Sequence, residues 1–456
     1  DYPLGARMPD GLRIDADEYI PGFRKLADAV HKYDCRLSVQ MMHAGPWCPA
    51  SLAGRPPIAA SVMKVDVYGD WSDETVAATI SEIKEIQEKF VDAAERYKKA
   101  GVDHLEIHCG TQHLGNTFMS RHWNRREDDY GGSVESRARF AMEVIREIKK
   151  RLGDDFPVSI IMNGMEIGQV IGVDNSRCLT PQDSREIAKC LQKAGADAIQ
   201  VRSHWLGYHV GAYLPDALFY PEPPVPVAEM PKEYDSSRKG AGVNITLAAG
   251  IKTAVSIPVL VVGRLDADLG EKILREGKVD YIAMTRRLIA DPDYPNKLAA
   301  GKVDDIAPCT ACDNCLGNQR CRVNGLVGTH FNTIEKATKK KKVVVIGGGP
   351  AGMSAARVSA LRGHDVTLYE RASKLGGLLP LASMVKGSHP EDLSLLIGYF
   401  ERQILKLGVK VILGKEADIK VIEQLKPDVV FLATGGTPVV PDIPGIDKPN
   451  VVDGAV

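Results

Sequence analysis

The sequence is poor in aromatic residues, which occupy 6% of its 456 positions. That scarcity excludes an extended stacking platform for single-stranded nucleic acid. It also lacks an excess of either charge: 58 basic against 59 acidic side chains leave a formal net charge of -1. Binding of nucleic acid through bulk positive charge is excluded with it. No uninterrupted apolar run reaches the ~18 residues of a membrane-spanning helix, so no membrane partner is expected. Cysteine is sparse except in one place, where four of the nine fall between Cys309 and Cys321. Such usage does not suit a secreted disulfide scaffold and points to a reduced, cytoplasmic setting. The chain opens on Asp1 rather than methionine. Truncation at both ends is the expectation.

What is present suffices for a large core. Hydrophobic residues make 44% and charged residues 26%, which excludes a disordered tail or a collagen-like fibre. At roughly 150 residues per domain, the length allows about three domain equivalents, such as a barrel with a smaller partner.

From residue 21 to about 300, helical patterns alternate with short β-branched runs. Strands are read at 36–45, 103–108, 157–163, 197–201, 258–263 and 280–284. Helices are read at 21–33, 72–101, 133–153, 180–195, 245–255 and 268–277. Ser72 and Asp73 suit the N-cap of the longest, and Gly101 suits its stop. Apolar strands alternating with helices give a parallel sheet covered by helices. The similar units KAGVDHLEI and KAGADAIQV favour a (β/α)8 barrel whose first two strands precede Asp1. An open doubly wound sheet is the alternative. The loops 109–132 and 203–240 are longer than ordinary connections and follow strand C-termini, where barrels keep their chemistry. They read as pocket walls, or else as packing decoration or an oligomer contact.

Three further signals carry chemistry. The first is VVVIGGGPAGMSAARVSALRGHDVTLYE at 343–370, a strand, a glycine turn, a helix and a second strand. Gly347, Gly349, Pro350, Ala351 and Gly352 open the helix where a pyrophosphate would lie, and Glu370 can accept from a ribose diol. Arg371, Gly377, Thr434 and Gly435 lie in or beside further glycine turns that, in domains resembling flavin–disulfide reductases, pack around FAD; NAD is the competing reading. The second is Cys309, Cys312, Cys315 and Cys321, spaced C-x2-C-x2-C-x5-C. That spacing suits a [4Fe–4S] cluster better than zinc, which usually takes two separated CxxC knuckles. The third is PVLVVGRL and DYIAMTRRL, where loops after the last two barrel strands can hold a phosphate through Gly263, Arg264 and Arg286. Arg287 reads as an ordinary surface charge. Residues 322–341, ending in KATKKKK, form a solvated linker. The resulting domains are 1–305, 306–341 and 342–456, the last too short for a complete two-nucleotide reductase domain.

With these stretches in order, the chain resembles the iron–sulfur branch of the old yellow enzyme family, which includes 2,4-dienoyl-CoA reductase, trimethylamine dehydrogenase and bile-acid-inducible ene reductases. The most specific match is NRREDDYGGSVESRARF; DAVHKYDCRLSVQMMHAG and GVDHLEIHCGTQHLGNTFMSRHW accompany it. The resemblance implies FMN on the barrel, an iron–sulfur cluster, FAD and NAD(P)H, with electrons passing from NAD(P)H through FAD and the cluster to FMN. It implies that Gln40 bonds the flavin pyrimidine edge and that Gly263, Arg264, Thr285 and Arg286 hold the FMN phosphate, Thr285 standing where the family usually has Gly. His108 matches the first of two pocket residues; the second is Thr111 here. His113 stands at the usual tyrosine proton donor, as a donor or as pocket wall. Ile161 stands at the usual flavin-contacting arginine.

The activity so implied is reduction of an activated C=C bond in a hydrophobic or CoA-linked substrate. His108 would stabilise carbonyl charge, and His113 would deliver a proton. His204, Tyr208 and His209 are alternative donors, while His31 and His43 read as packing or loop residues. An amine dehydrogenase with a cation cage of Trp47, Trp205, Tyr208 and Tyr213 is the runner-up. A partner-reducing electron-transfer module is the third reading. No nucleic-acid partner is expected, and a homo-oligomer is compatible with each reading.

Overall fold

The computed structural model describes residues 5–6, 11–64, 74–207, 223–238, 240–331, 333–385, 390–436 and 442–451. The expected contacts Tyr208, His209 and Tyr213 lie outside them. The chain forms two compact units, 1–284 and 285–456.

The first unit is of the TIM-barrel type. Its strands are β1 (Ser38–Met41), β2 (His104–Cys109), β3 (Val158–Ile167), β4 (Ala198–Trp205), β5 (Val259–Val262) and β6 (Tyr281–Ala283). They pair in sequence order, each parallel to the next, as six consecutive strands of such a barrel do. α1 (Ile20–His31) precedes β1, and the crossovers carry α2 (Ile80–Lys99), α3 (Leu114–Met119), α4 (Val134–Leu152), α5 (Pro181–Lys193), α6 (Ile245–Lys252) and α7 (Ala267–Arg275). The helix expected from residue 72 starts at Ile80, because Thr79 and Glu82 form a reciprocal capping box there. Ahead of that cap, Val76–Ala77 instead pairs with Ile58–Ala59. The stop is where Gly101 predicts it, at φ +87 just past the Ala100 C-cap.

Alternation divides the two faces of β2. Leu105, Ile107 and Cys109 are buried in the apolar core with Phe90, Val144 and Ile148. Each large apolar side chain so buried contributes about 1.5–3 kcal/mol. The opposite face is polar: Ser38 Oγ lies 2.6 Å from His104 Nδ1, and Gln40 Nε2 donates to Glu106 Oε1 at 2.6 Å. β3 runs longer than the sequence implies and carries a bulge between Asn163 and Met165, after which Glu166 stands opposite His204. Within the loop after β2, α3 is clamped to α4 by the stacked rings of Phe118 and Phe140, 4.9 Å apart, and by Arg137 Nη1 donating to Met119 O at 2.6 Å.

The second unit is Rossmann-like. It opens with α8 (Arg286–Ala290) and α9 (Tyr294–Ala299). Its parallel sheet has the order β9-β8-β7-β10, from β7 (Lys342–Ile346), β8 (Asp365–Tyr369), β9 (Lys410–Ile412) and β10 (Val429–Leu432). Helices α10 (Pro350–Leu361) and α11 (Pro390–Lys406) share a core with Val343, Val345, Leu368 and Phe400. Among the described residues, no helix is long and apolar enough to cross a membrane.

Candidate active site and cofactor cradles

The turn after β2 gathers the barrel's candidate chemistry. His108 and His113 are buried at 6% and 2% exposure, with ring centroids 4.3 Å apart and planes at 85°. Gly110 N donates to His108 Nδ1 at 3.2 Å. A neutral His108 therefore carries its proton on Nε2 and is a donor there. His113 Nδ1 lies 3.4 Å from Ala44 O, a group that only accepts, so its proton is on Nδ1 and a neutral Nε2 is an acceptor.

The pair is brought together by strained backbone. Thr111 and Gln112 adopt φ +47 and +59, in the left-handed region that non-glycine residues seldom enter. Trp47 Nε1 donates to Thr111 O at 3.0 Å, and Leu114 N donates to His43 O at 3.1 Å. Thr111 is fully buried, and its Oγ1 has no hydrogen-bond partner among the described residues. Such an orphaned hydroxyl suits a site built for a polar ligand. His43, with burial as the cause, has its imidazole pKa pushed down to about 4, and its Nδ1 accepts from Gly45 N at 3.1 Å, a loop-fixing role.

Other expected site residues fall at varied depths. Gln40 is exposed on β1 and its Nε2 donates to Glu106 Oε1 at 2.6 Å, which leaves Oε1 as an acceptor of the kind an imide N–H needs. Burial raises the Glu106 pKa, opposed by the Gln40 bond and the field of Arg202. His204 is fully buried opposite Glu166. Trp205 is fully buried edge-on to Tyr234, with centroids 5.4 Å apart, which commits it to packing. Ile161 offers no charge, but Arg202 on the neighbouring strand does: a Cβ on Gly110 would stand 3.1 Å from its Cδ. Sequence reasoning missed Arg202, whose signal was a lone cation ending an apolar strand in AIQVRS. Gly263 takes φ +146 after β5, where a Cβ would lie 3.0 Å from Asn244 Nδ2, and Arg264 follows at φ +49. Thr285 caps α8 in the second unit, and Arg286 is its first residue.

In the second unit the glycines have distinct reasons. A Cβ on Gly347 would meet Ala433 O at 2.2 Å, and one on Gly352 would meet Gly347 O at 1.8 Å. Both keep strand, turn and helix close. Gly349, the N-cap of α10, differs: the nearest atom to its Cβ position is Gly377 Cα at 4.0 Å. That open cradle at a helix N-terminus fits a nucleotide pyrophosphate. Pro350 at the first helical position gives up no needed N–H, and Ala351 and Gly352 continue the turn. Glu370 accepts from Gly348 N at 2.6 Å and Ala372 N at 2.8 Å, which fixes its carboxylate beside the cradle. Arg371 is exposed, Gly377 lies at φ +54, and Thr434 and Gly435 follow β10.

The cysteine segment is a chain of tight turns, with Ala311, Asp313 and Gln319 at φ +51, +56 and +51. Asn324 N donates to Cys321 Sγ at 3.3 Å, and Asn324 Nδ2 reaches Ile289 O at 2.9 Å. Cys309 and Cys315 are each within the field of Cys321 and of Arg286; burial, the largest cause, raises both thiol pKa values while Arg286 opposes it. Cys312 is exposed. Among the described residues, no three metal-ligating side chains are arranged around a single ion. Cys309 and Cys315 both lie within the electrostatic reach of Cys321, as ligands gathered on one cluster would.

Two family models match the chain: NADH:flavin oxidoreductase / NADH oxidase over residues 3–208, and pyridine nucleotide-disulphide oxidoreductase over 341–455. The NADH oxidase of Thermoanaerobacter brockii is 39% identical, over 99% of this chain and 66% of that protein. The cinnamate reductase of Clostridium sporogenes is 33% identical, over 95% and 64%. A solved 2-naphthoyl-CoA reductase–2-naphthoyl-CoA complex superposes with a TM-score of 0.86 at 31% identity, over 99% of this chain and 67% of that one. The chain thus spans slightly less than two thirds of the length of the curated relatives it matches. The cofactors of this branch are FMN, FAD with NAD(P), and an iron–sulfur cluster. The chain belongs to the NADH:flavin oxidoreductase / NADH oxidase family, within its iron–sulfur, old-yellow-enzyme-like branch.

Proposed function

We propose that this chain acts in the NAD(P)H-dependent reduction of a C=C bond conjugated to a carbonyl, in a small hydrophobic or thioester-linked substrate. The observation that carries this reading is the buried, edge-to-face His108–His113 pair in the turn after β2. When bound, the flavins and the cluster supply reducing equivalents from NAD(P)H, delivered as a hydride to the β-carbon. Gln40, Gly263, Arg264, Thr285 and Arg286 would hold FMN. The cradle from Gly347 to Gly352, with Glu370, Arg371, Gly377, Thr434 and Gly435, would hold FAD, and Cys309, Cys312, Cys315 and Cys321 the cluster. The corresponding domains are 1–305, 306–341 and 342–456.

His108 donates from Nε2 to the carbonyl oxygen, where negative charge gathers as the β-carbon is reduced. His113 passes a proton to the α-carbon. Because its Nδ1 proton faces Ala44 O, donation from Nε2 requires the imidazolium. His113→Phe should slow the substrate half-reaction and spare flavin reduction by nicotinamide; an unchanged substrate half-reaction would remove His113 from the donor role. Similarity to the cinnamate and 2-naphthoyl-CoA reductases supports a conjugated acyl substrate. Amine oxidation is the second reading, favoured by similarity to the N,N-dimethylglycine/sarcosine dehydrogenase of Chromohalobacter salexigens, 32% identical over 95% of this chain.

The direct test uses anaerobic, cofactor-loaded protein, reduced with NADH or NADPH and then offered enones, enoyl thioesters or methylated amines. Flavin reoxidation by the conjugated carbonyls is the expected result. Flavin bleaching by amines without nicotinamide would overturn the assignment.

A further inference from the structure

We propose that Glu166 is a positioning residue, which acts through Asn116 and Asn163 to hold the Thr111–Gln112 turn and so the His108–His113 pair. The proposal rests on reading that pair as the reacting one. It begins with the turn, whose two consecutive left-handed residues are not glycine and need external restraint. Two side-chain amides supply it. Thr111 N donates to Asn163 Oδ1 at 3.1 Å, and Gln112 N donates to Asn116 Oδ1 at 2.8 Å. With each Oδ1 turned to a backbone N–H, each Nδ2 must face away from the turn.

Both Nδ2 groups face one carboxylate. Asn116 Nδ2 donates to Glu166 Oε1 at 3.0 Å, and Asn163 Nδ2 reaches the same oxygen at 3.5 Å. Ser120 Oγ and Leu179 N donate to Oε2 at 2.6 and 3.1 Å. Three N–H groups and the Ser120 hydroxyl converge on two oxygens, a set that a carboxylate satisfies as acceptor. Burial raises the Glu166 pKa, and these bonds oppose it. Asn116, Ser120, Asn163 and Glu166 are all fully buried, so water cannot replace a lost bond. The carboxylate therefore dictates which end of each amide meets the turn. Glutamine at this position brings an NH2 group against N–H and O–H donors, and the amides lose their common acceptor.

The test uses cofactor-loaded protein with 15N-labelled histidine, in which ring nitrogen signals report tautomer and environment without turnover. In Glu166→Gln, the His108 and His113 ring signals should shift or broaden. The substrate half-reaction should slow about tenfold or more, and flavin reduction by nicotinamide should be unchanged. Asn163→Ala, which cuts one restraint only, should move the same signals and decides the matter if Glu166→Gln does not fold. Asn116→Ala added to Glu166→Gln should cost little beyond the single change, since both act on one path. Ring signals identical to the parent in the folded variants would overturn the proposal, even with a lowered melting temperature. Shifted signals alongside a fully active His108→Ala would instead sink the functional reading and leave the positioning role standing.

Discussion

His108→Ala is expected to slow the substrate half-reaction about 10²–10³-fold, the usual cost of removing one preorganised donor to a developing oxyanion. The reason is specific to this ring. Its Nδ1 is occupied by Gly110 N, so the donor capacity of a neutral imidazole is directed to Nε2. Because the donor is fixed before substrate arrives, little reorganisation accompanies the chemistry. Reduction of the flavin by nicotinamide should be unaffected. His108→Asn should recover part of the loss, since a side-chain amide can donate from a similar distance. Rapid-mixing measurements of the two half-reactions check this; equal rates for parent and alanine variant would remove His108 from the mechanism.

Gly352→Ala should abolish FAD retention while leaving the barrel unit folded. A methyl there would stand 1.8 Å from Gly347 O, and Ala433 Cβ lies 3.3 Å from the same point. The clash is with backbone, so no rotamer relieves it, and α10 must move away from β7. Overpacking of this kind costs about 1–3 kcal/mol, and the opened turn no longer presents its N–H groups as a set. Gly349→Ala differs in kind: its methyl enters open space, so the second unit should keep its stability and lose nucleotide affinity through crowding of the cradle. FAD-to-protein ratio and melting temperature separate the two cases. Full FAD content in Gly352→Ala would refute the tight-turn account.

Much of this was legible in the sequence because it is periodic or local. Alternation of helix and strand needs only hydrophobic spacing. The GGGPAG turn and the four cysteines announce themselves by residue type and interval. The misses have a common cause in pairing across the chain. Arg202 supplies a guanidinium beside the histidine turn from a different strand than Ile161, and only sheet register brings Asn163 and Arg202 side by side. The early start given to the long helix overlooked the reciprocal Thr79–Glu82 cap, which outweighs an upstream Ser-Asp pair. Asn116, Ser120 and Glu166 carry no spacing signal of their own; only the fold buries them together.

The irregularity in β3 has a consequence for how this scaffold can vary. Residues 163 and 166 differ by an odd number, so in a regular strand their side chains would leave on opposite sides of the sheet. The extra residue at the bulge restores parity and sends both toward α3. Gly164 suits that step, since a methyl there would crowd Leu247 and Val201 at 2.9 Å. A homologue that kept this spacing but lost the bulge would keep a barrel strand yet turn its acid away from the amides, so the irregularity here is itself a heritable setting of the histidine turn.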